Sequence, residues 1–271
     1  LLDEARVDAQ AIQKLVDEEY LRAGICREDV DTGAIIITGE TSRKENARAV
    51  LSQLSGYAGD FVVATAGPDL ESVLAAKGAG AVTLSRDTGK TVLHMDIGGG
   101  TSNLCLIKDG KIEKTGCFNV GGRLVKLDES GEICYVSDVL RRISDLKVGD
   151  TPTLRQLEEV CEILTQALEM AAGLRPATHL LSQLSTAEAG PWEPPGEPVV
   201  ISFSGGVADC IGAVHPWLAF GDLGPLLGQA IRDSLLLDEH MDSLEPGQSV
   251  DLTLYRSGSA VAITLTWGNS D

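Results

Sequence analysis

Two short stretches hold residues whose types and order suit the chemistry of a charged ligand. The first is Asp96-Ile97-Gly98-Gly99-Gly100-Thr101-Ser102-Asn103. Glycine has no Cβ, so the backbone N–H groups of Gly98, Gly99 and Gly100 can approach an anion closely, with the Thr101 and Ser102 hydroxyls beside them. Asp96, at the end of an apolar run, is placed to hold a divalent cation through water. The second is Ser204-Gly205-Gly206, between the apolar run Val199 to Phe203 and a helix expected from about Ala208 to Val214. A strand, two glycines and a helix N-terminus leave N–H groups free for ribose or phosphate oxygens. Each stretch also has a plain packing reading, a tight turn for the first and close strand-to-helix contact for the second.

The elements that must position the first stretch form a meander. Thr91 to Ile97 reads as a buried strand and Leu104 to Lys108 as a second. Asp109-Gly110 suits the two positive-φ positions of a hairpin turn, so Lys111 to Thr115 is expected to pair back on the second strand. With that loop Cys105 pairs across from Lys114, and Cys117 falls on the opposite sheet face, which disfavours a bridge between them.

Elsewhere, apolar residues at helical spacing predict a helix over residues 3 to 23, stopped by Gly24. Ala34 to Thr38 reads as a strand, and Ser42 with Glu45 as a capping box opening a second helix. Glu40, in the turn between them, reads as a solvated loop acid, with a nucleotide-facing role as the alternative. Phe61 to Thr65 is the next strand, Gly67-Pro68-Asp69 opens a short helix, and Ala81 to Leu84 is expected to be a strand. A long helix runs from Thr151 or Thr153 to Gly173, with Leu157, Cys161, Leu164 and Leu168 on one face. Ala177 to Ser182 is expected as a strand, Ser185 to Pro198 as a surface loop, and Leu223 to Leu237 as a helix. Two strands close the chain around Arg256-Ser257-Gly258, and residues 124 to 150 give no clear pattern. The order is β/α alternation followed by βββαβα. The first 90 residues carry only the later part of that pattern, so three further strands are expected ahead of Leu1.

At 271 residues and 43% hydrophobic content the chain can bury one large or two modest cores. It has no run of about 18 apolar residues and no signal peptide, which leads us to expect a cytoplasmic protein without a membrane partner. A net charge of −18 argues against nucleic acid or anionic lipid. The six cysteines lack metal-ligand spacing with the four histidines, so thiols read as reduced and histidines as structural. Gly89-Lys90-Thr91 imitates a phosphate-binding loop, but Leu84 stands where its first glycine belongs and a strand follows.

The hairpin at Gly98 to Gly100 resembles the second phosphate-binding hairpin of the actin, Hsp70 and sugar-kinase ATPase superfamily. Asp31 to Thr41, Arg43 to Ala47, Phe118 to Leu124, Ile201 to Ala208 and Gly221 to Leu227 together resemble the ethanolamine ammonia-lyase reactivating factors, over most of residues 1 to 240. The resemblance implies an α/β, actin-like ATPase (ribonuclease-H-like) architecture, two subdomains flanking a nucleotide cleft, the first incomplete. Residues 1–90 would be the remainder of the first half, 91–240 the second half with the phosphate hairpin and adenosine motif, and 241–271 a C-terminal β-hairpin segment. A glycine-rich segment expected after His240 is not found.

The same resemblance implies an ATP-dependent, chaperone-like factor that releases damaged cobalamin from adenosylcobalamin-dependent ethanolamine ammonia-lyase, with ATP and Mg²⁺ as cofactors and the lyase as partner. Carried over by residue, Asp96 is the catalytic carboxylate, holding Mg²⁺ through water. Gly98, Gly99, Gly100, Thr101 and Ser102 cradle the phosphates, and Ser204, Gly205 and Gly206 approach the adenosine. Phosphate contacts from both halves would close the cleft and hydrolysis would release it. Hydrolysis is expected of the intact protein and weak or absent in this chain alone. The alternatives are a small-molecule kinase, whose acceptor-directed base is not found, and a nucleotide-free scaffold.

Overall fold

The computed structural model describes residues 6–31, 33–37, 46–58, 62–65, 67–187, 190–196, 199–235, 249–256 and 259–266. It divides into two compact units, Leu1–Gly67 and Pro68–Asp271. In the first, Asp8 accepts from the Ala11 N–H at 3.0 Å and so starts helix α1 (Ala9–Ala23), which Gly24 ends at φ 68°. Val7 lies outside the helix and packs on Val50 and Leu54 of α2 (Ala47–Ala58), with Asn46 bonded to both its N–H and its C=O. Strands β1 (Ala34–Ile37) and β2 (Val62–Thr65) pair in parallel. Glu40 and the capping box at Ser42 and Glu45 lie outside the described residues.

The second unit opens with α3 (Pro68–Gly78) and α4 (Ala81–Thr88). Helix α4 stands where a strand was expected over Ala81 to Leu84. Its buried residues, Ala81 and Ser85, recur at a spacing of four rather than two, and Gly80 and Gly89 at positive φ bracket it. Both helices lie on the following sheet, so the compact division falls at residue 67, ahead of the expected boundary at 90.

Strands β3 (Val92–Ile97), β4 (Ser102–Lys108) and β5 (Lys111–Phe118) make the expected antiparallel meander, turned at Asp109 and Gly110 with φ of 49° and 71°. A bulge shifts the register between Leu106 and Ile107, so Cys105 pairs with Thr115 rather than Lys114, and Cys117 stands opposite Asn103. One extra residue reverses the facing of everything beyond it, so Cys105 and Cys117 share a face, contrary to expectation. Both thiols are free.

The unassigned stretch folds as a small hairpin, β6 (Val125–Leu127) with β7 (Ile133–Val136). Thr153 and Gln156 form a capping box for α5 (Leu154–Ala172), and Gly173 at φ 79° ends it. Over 177–182 the expected strand is instead the short helix α6 (His179–Leu184), which Thr178 caps by accepting from the Leu180 N–H. Leu181 and Leu184, three apart, are its buried residues. Strand β8 (Val200–Ser204) then returns parallel to β3 and leads through α7 (Gly206–Gly212) to α8 (Gly224–Leu235). A hairpin of β9 (Ser249–Arg256) and β10 (Ser259–Thr266) follows.

The sheet order is β5-β4-β3-β8, three antiparallel strands with a fourth parallel to the first, the strand order of a ribonuclease-H-like half. Leu93, Met95 and Ile97 of β3 face a core with Leu157, Leu164, Leu168 and Leu227, while Val92 packs with Cys105, Ile107, Ala76 and Ala81. Both faces are covered, which is why β3 reads as a continuous apolar run. Each large side chain buried there contributes about 1.5–3 kcal/mol. Among the described residues no helix is long and apolar enough to cross a membrane.

Candidate functional site

Strands β3 and β8 run side by side and end together, which brings both glycine-rich stretches to one edge of the sheet. Asp96 stands opposite Ser204 in the register, and the Ser204 hydroxyl donates to Asp96 Oδ1 at 2.7 Å. At the next residue, Gly205, a Cβ would stand 2.4 Å from the Ile97 carbonyl oxygen and 2.9 Å from Asp96 Oδ1, and φ is 89°. Only glycine fits that approach. The carboxyl ends of adjacent parallel strands are where open α/β sheets take ligands.

The hairpin is held from two further loops. The Gly98 N–H donates to the Thr101 carbonyl at 2.9 Å, closing the turn, while the Gly122 and Arg123 N–H groups donate to the carbonyls of Gly98 and Gly99. Gly121 lies so close that a Cβ there would meet the Gly99 oxygen at 2.4 Å. Leu223 N–H in turn donates to the Gly122 carbonyl, and Asp222 accepts from the Gly224 N–H at 2.8 Å and from Arg123 Nε at 3.3 Å.

This arrangement corrects two expectations. Ser102 is fully buried and donates to the Val120 carbonyl at 2.8 Å, so its hydroxyl ties the loops together instead of facing an anion. The Gly98 N–H is likewise engaged within the turn. Gly100 and Gly206 have no heavy atom within 4 Å of where a Cβ would stand, and the remaining hairpin glycines and Thr101 are half-buried.

Three residues to which the sequence reading gave no ligand-directed role, His94, Ser202 and Asn103, stand beside Asp96 and Ser204. His94, assigned only a structural role, is fully buried, with Nδ1 2.8 Å from Ser202 Oγ and Nε2 3.0 Å from Ser204 Oγ. Burial lowers its pKa to about 4, so the ring is neutral near pH 7. Asn103, opposite Asp96 on β4, donates to Glu71 of α3 at 3.1 Å, and its Oδ1 is buried without a hydrogen-bond partner. The signal for His94 and Ser202 was the period of two in the strands, which sets His94 and Asp96 on one face and Ser202 and Ser204 beside them.

These donors suit a hydrated Mg²⁺ and a phosphate-bearing ligand. Ser204 occupies one oxygen of Asp96 and leaves the other, a hard oxygen of the kind that ion takes through water. Among the described residues no three His, Cys, Asp or Glu side chains gather to cage a metal. A separate groove of about 450 Å³ lies between α5 and α8, beside Glu158, Thr165 and Asp233.

The family model described as "Ethanolamine utilisation protein EutA" matches residues 1–265. The chain belongs to the EutA family. It is 40% identical over 259 residues to the "Ethanolamine ammonia-lyase reactivase EutA" of Escherichia coli strain K12, and 39% identical over 263 residues to that of Salmonella typhimurium. Each alignment covers 92% of this chain and 54% of the relative, so the chain spans about half the length of these EutA proteins. Among solved structures it resembles Spiroplasma citri MreB 5 bound to AMPPNP, at 17% identity and a TM-score of 0.40, covering 90% of this chain and 80% of that one. It also resembles EutJ of Carboxydothermus hydrogenoformans, at 15% identity and 0.39, covering 81% and 72%. At those scores the structural likenesses bear no weight for the site.

Proposed function

We propose that this chain supplies one side of a nucleotide site in an ATP-dependent reactivating factor for ethanolamine ammonia-lyase, which releases damaged cobalamin so that fresh cofactor can bind. The relatives' name supports the lyase as partner. The observation that carries the nucleotide reading is the bond between Ser204 and Asp96, which joins two glycine loops 108 residues apart at one strand edge.

In this reading the Gly99 and Gly100 backbone and the Thr101 hydroxyl face the phosphates, and Gly205 and Gly206 let the rest of the nucleotide approach the backbone. Asp96 orients water around the cation, which supplies charge neutralisation to the triphosphate when bound. Residues 91–240 act as the second ribonuclease-H-like half, and hydrolysis in the full-length protein is the switching step. Cys105, Cys161 and Cys210 are not nucleophiles: desolvation pushes Cys105 up to about 12 and raises Cys161 and Cys210 as well.

The test is ATP turnover by full-length protein. Turnover stimulated by inactivated lyase and not by sugars is the expected result. Stimulation by a sugar would favour a small-molecule kinase, and calorimetry showing no nucleotide binding would overturn the reading.

A further inference from the structure

We infer that His94 is a positioning residue for Asp96, acting through Ser204 to fix which carboxylate oxygen is left for a cation's water. The inference rests on the nucleotide reading above and extends it to a residue that meets neither nucleotide nor metal.

It follows from counting protons along one buried chain. Ser202, His94, Ser204 and Asp96 share a sheet face, with His94 opposite Ser202 and Asp96 opposite Ser204 in the β3–β8 register. An ionised carboxylate only accepts, so the 2.7 Å contact uses the Ser204 proton. The Ser204 oxygen must then accept at its 3.0 Å contact with His94, which places a proton on Nε2. A neutral ring with Nε2–H has a bare Nδ1, which accepts from Ser202 at 2.8 Å. Every link has one direction: Ser202 to His94 to Ser204 to Asp96.

A serine hydroxyl alone is a free rotor, and the carboxylate torsion is broad. With His94 removed, Ser204 could turn its proton elsewhere, and Asp96 would lose the contact that separates its two oxygens. His94 is fully buried, so bulk water cannot take its place in the chain.

The experiment measures nucleotide binding by full-length protein as Mg²⁺ is titrated, and again in chelator, for wild type, His94→Leu and His94→Gln. Leucine removes the donor, whereas the glutamine amide can still donate toward Ser204. For His94→Leu the Mg²⁺ needed for half-maximal binding should rise about 10-fold or more, the usual effect of losing a residue behind a metal site. Its affinity in chelator should not change, and His94→Gln should restore most of the Mg²⁺ response. A His94→Leu protein with wild-type Mg²⁺ dependence overturns the inference and leaves the nucleotide reading standing. Absence of nucleotide binding by wild type overturns the nucleotide reading itself. Should His94→Leu fail to fold, nitrogen NMR of the wild-type imidazole decides: Nε2–H with bare Nδ1 is expected, and an Nδ1–H tautomer contradicts it.

Discussion

Ser204 and Asp96 stand opposite one another on neighbouring parallel strands, joined by a 2.7 Å hydrogen bond. Because β3 and β8 are parallel and in register, the loops that leave them, Gly98 to Thr101 and Gly205 to Gly206, emerge at one edge. That relationship brings the two glycine stretches together at the ends of their strands.

Gly205 should be the least replaceable glycine of the second loop. Alanine there would drive a Cβ against the Ile97 carbonyl at 2.4 Å and hold a side chain at φ 89°. Gly205→Ala should lower stability by about 1–3 kcal/mol. Gly206→Ala, where nothing lies within 4 Å, should stay within about 0.5 kcal/mol of wild type. Urea unfolding of both variants checks the contrast.

Ser102→Ala separates a loop tie from a phosphate contact. The buried hydroxyl bonds to the Val120 carbonyl at 2.8 Å, so its loss should cost about 1–3 kcal/mol of stability. Nucleotide affinity of the folded protein should be unchanged. A large drop in affinity without loss of stability would restore Ser102 to the phosphate cradle.

His94 should imprint itself on the acid limb of stability. Its folded pKa, about 4, lies below the ordinary 6.5, so between those values the unfolded chain binds the proton and the folded chain does not. Stability is therefore full above pH 6.5 and falls as pH drops toward 4, by about 3 kcal/mol in all. Denaturation midpoints across that range should be flatter for His94→Gln than for wild type.

The thiols should divide by burial. Cys26 and Cys134 are exposed, while Cys105, Cys117, Cys161 and Cys210 are buried. Iodoacetamide at mildly alkaline pH should label the exposed pair in native protein and reach the other four on unfolding, read by mass spectrometry of the peptides. Rapid native labelling of Cys105 would contradict its place between β3, β5 and the α3–α4 face.

What the sequence made legible followed from local signals. Asp109-Gly110 fixed the meander, Thr153 with Gln156 and Gly173 fixed both ends of α5, and the glycines marked the turns that carry the site. What it hid depended on distant partners. Ala81 to Leu84 has an apolar run that suits a strand, and only packing of Ala81 and Ser85 makes it a helix. The bulge between Leu106 and Ile107 leaves no mark in the residues, yet it reverses the facing of Cys117. Ser102 looked free beside Thr101 because nothing local announces Val120, and His94 looked ordinary because Ser202 and Ser204 reach it only when β8 docks on β3.

The central claim is that Asp96 and the joined glycine loops hold a nucleotide with its cation. Calorimetric titration of full-length wild type and Asp96→Asn with ATP, in Mg²⁺ and in chelator, tests it most directly. The account predicts that wild type binds more tightly in Mg²⁺, and that Asp96→Asn loses about 10-fold or more of that affinity while its binding in chelator is little changed. Equal affinities for the two proteins in Mg²⁺ would contradict it.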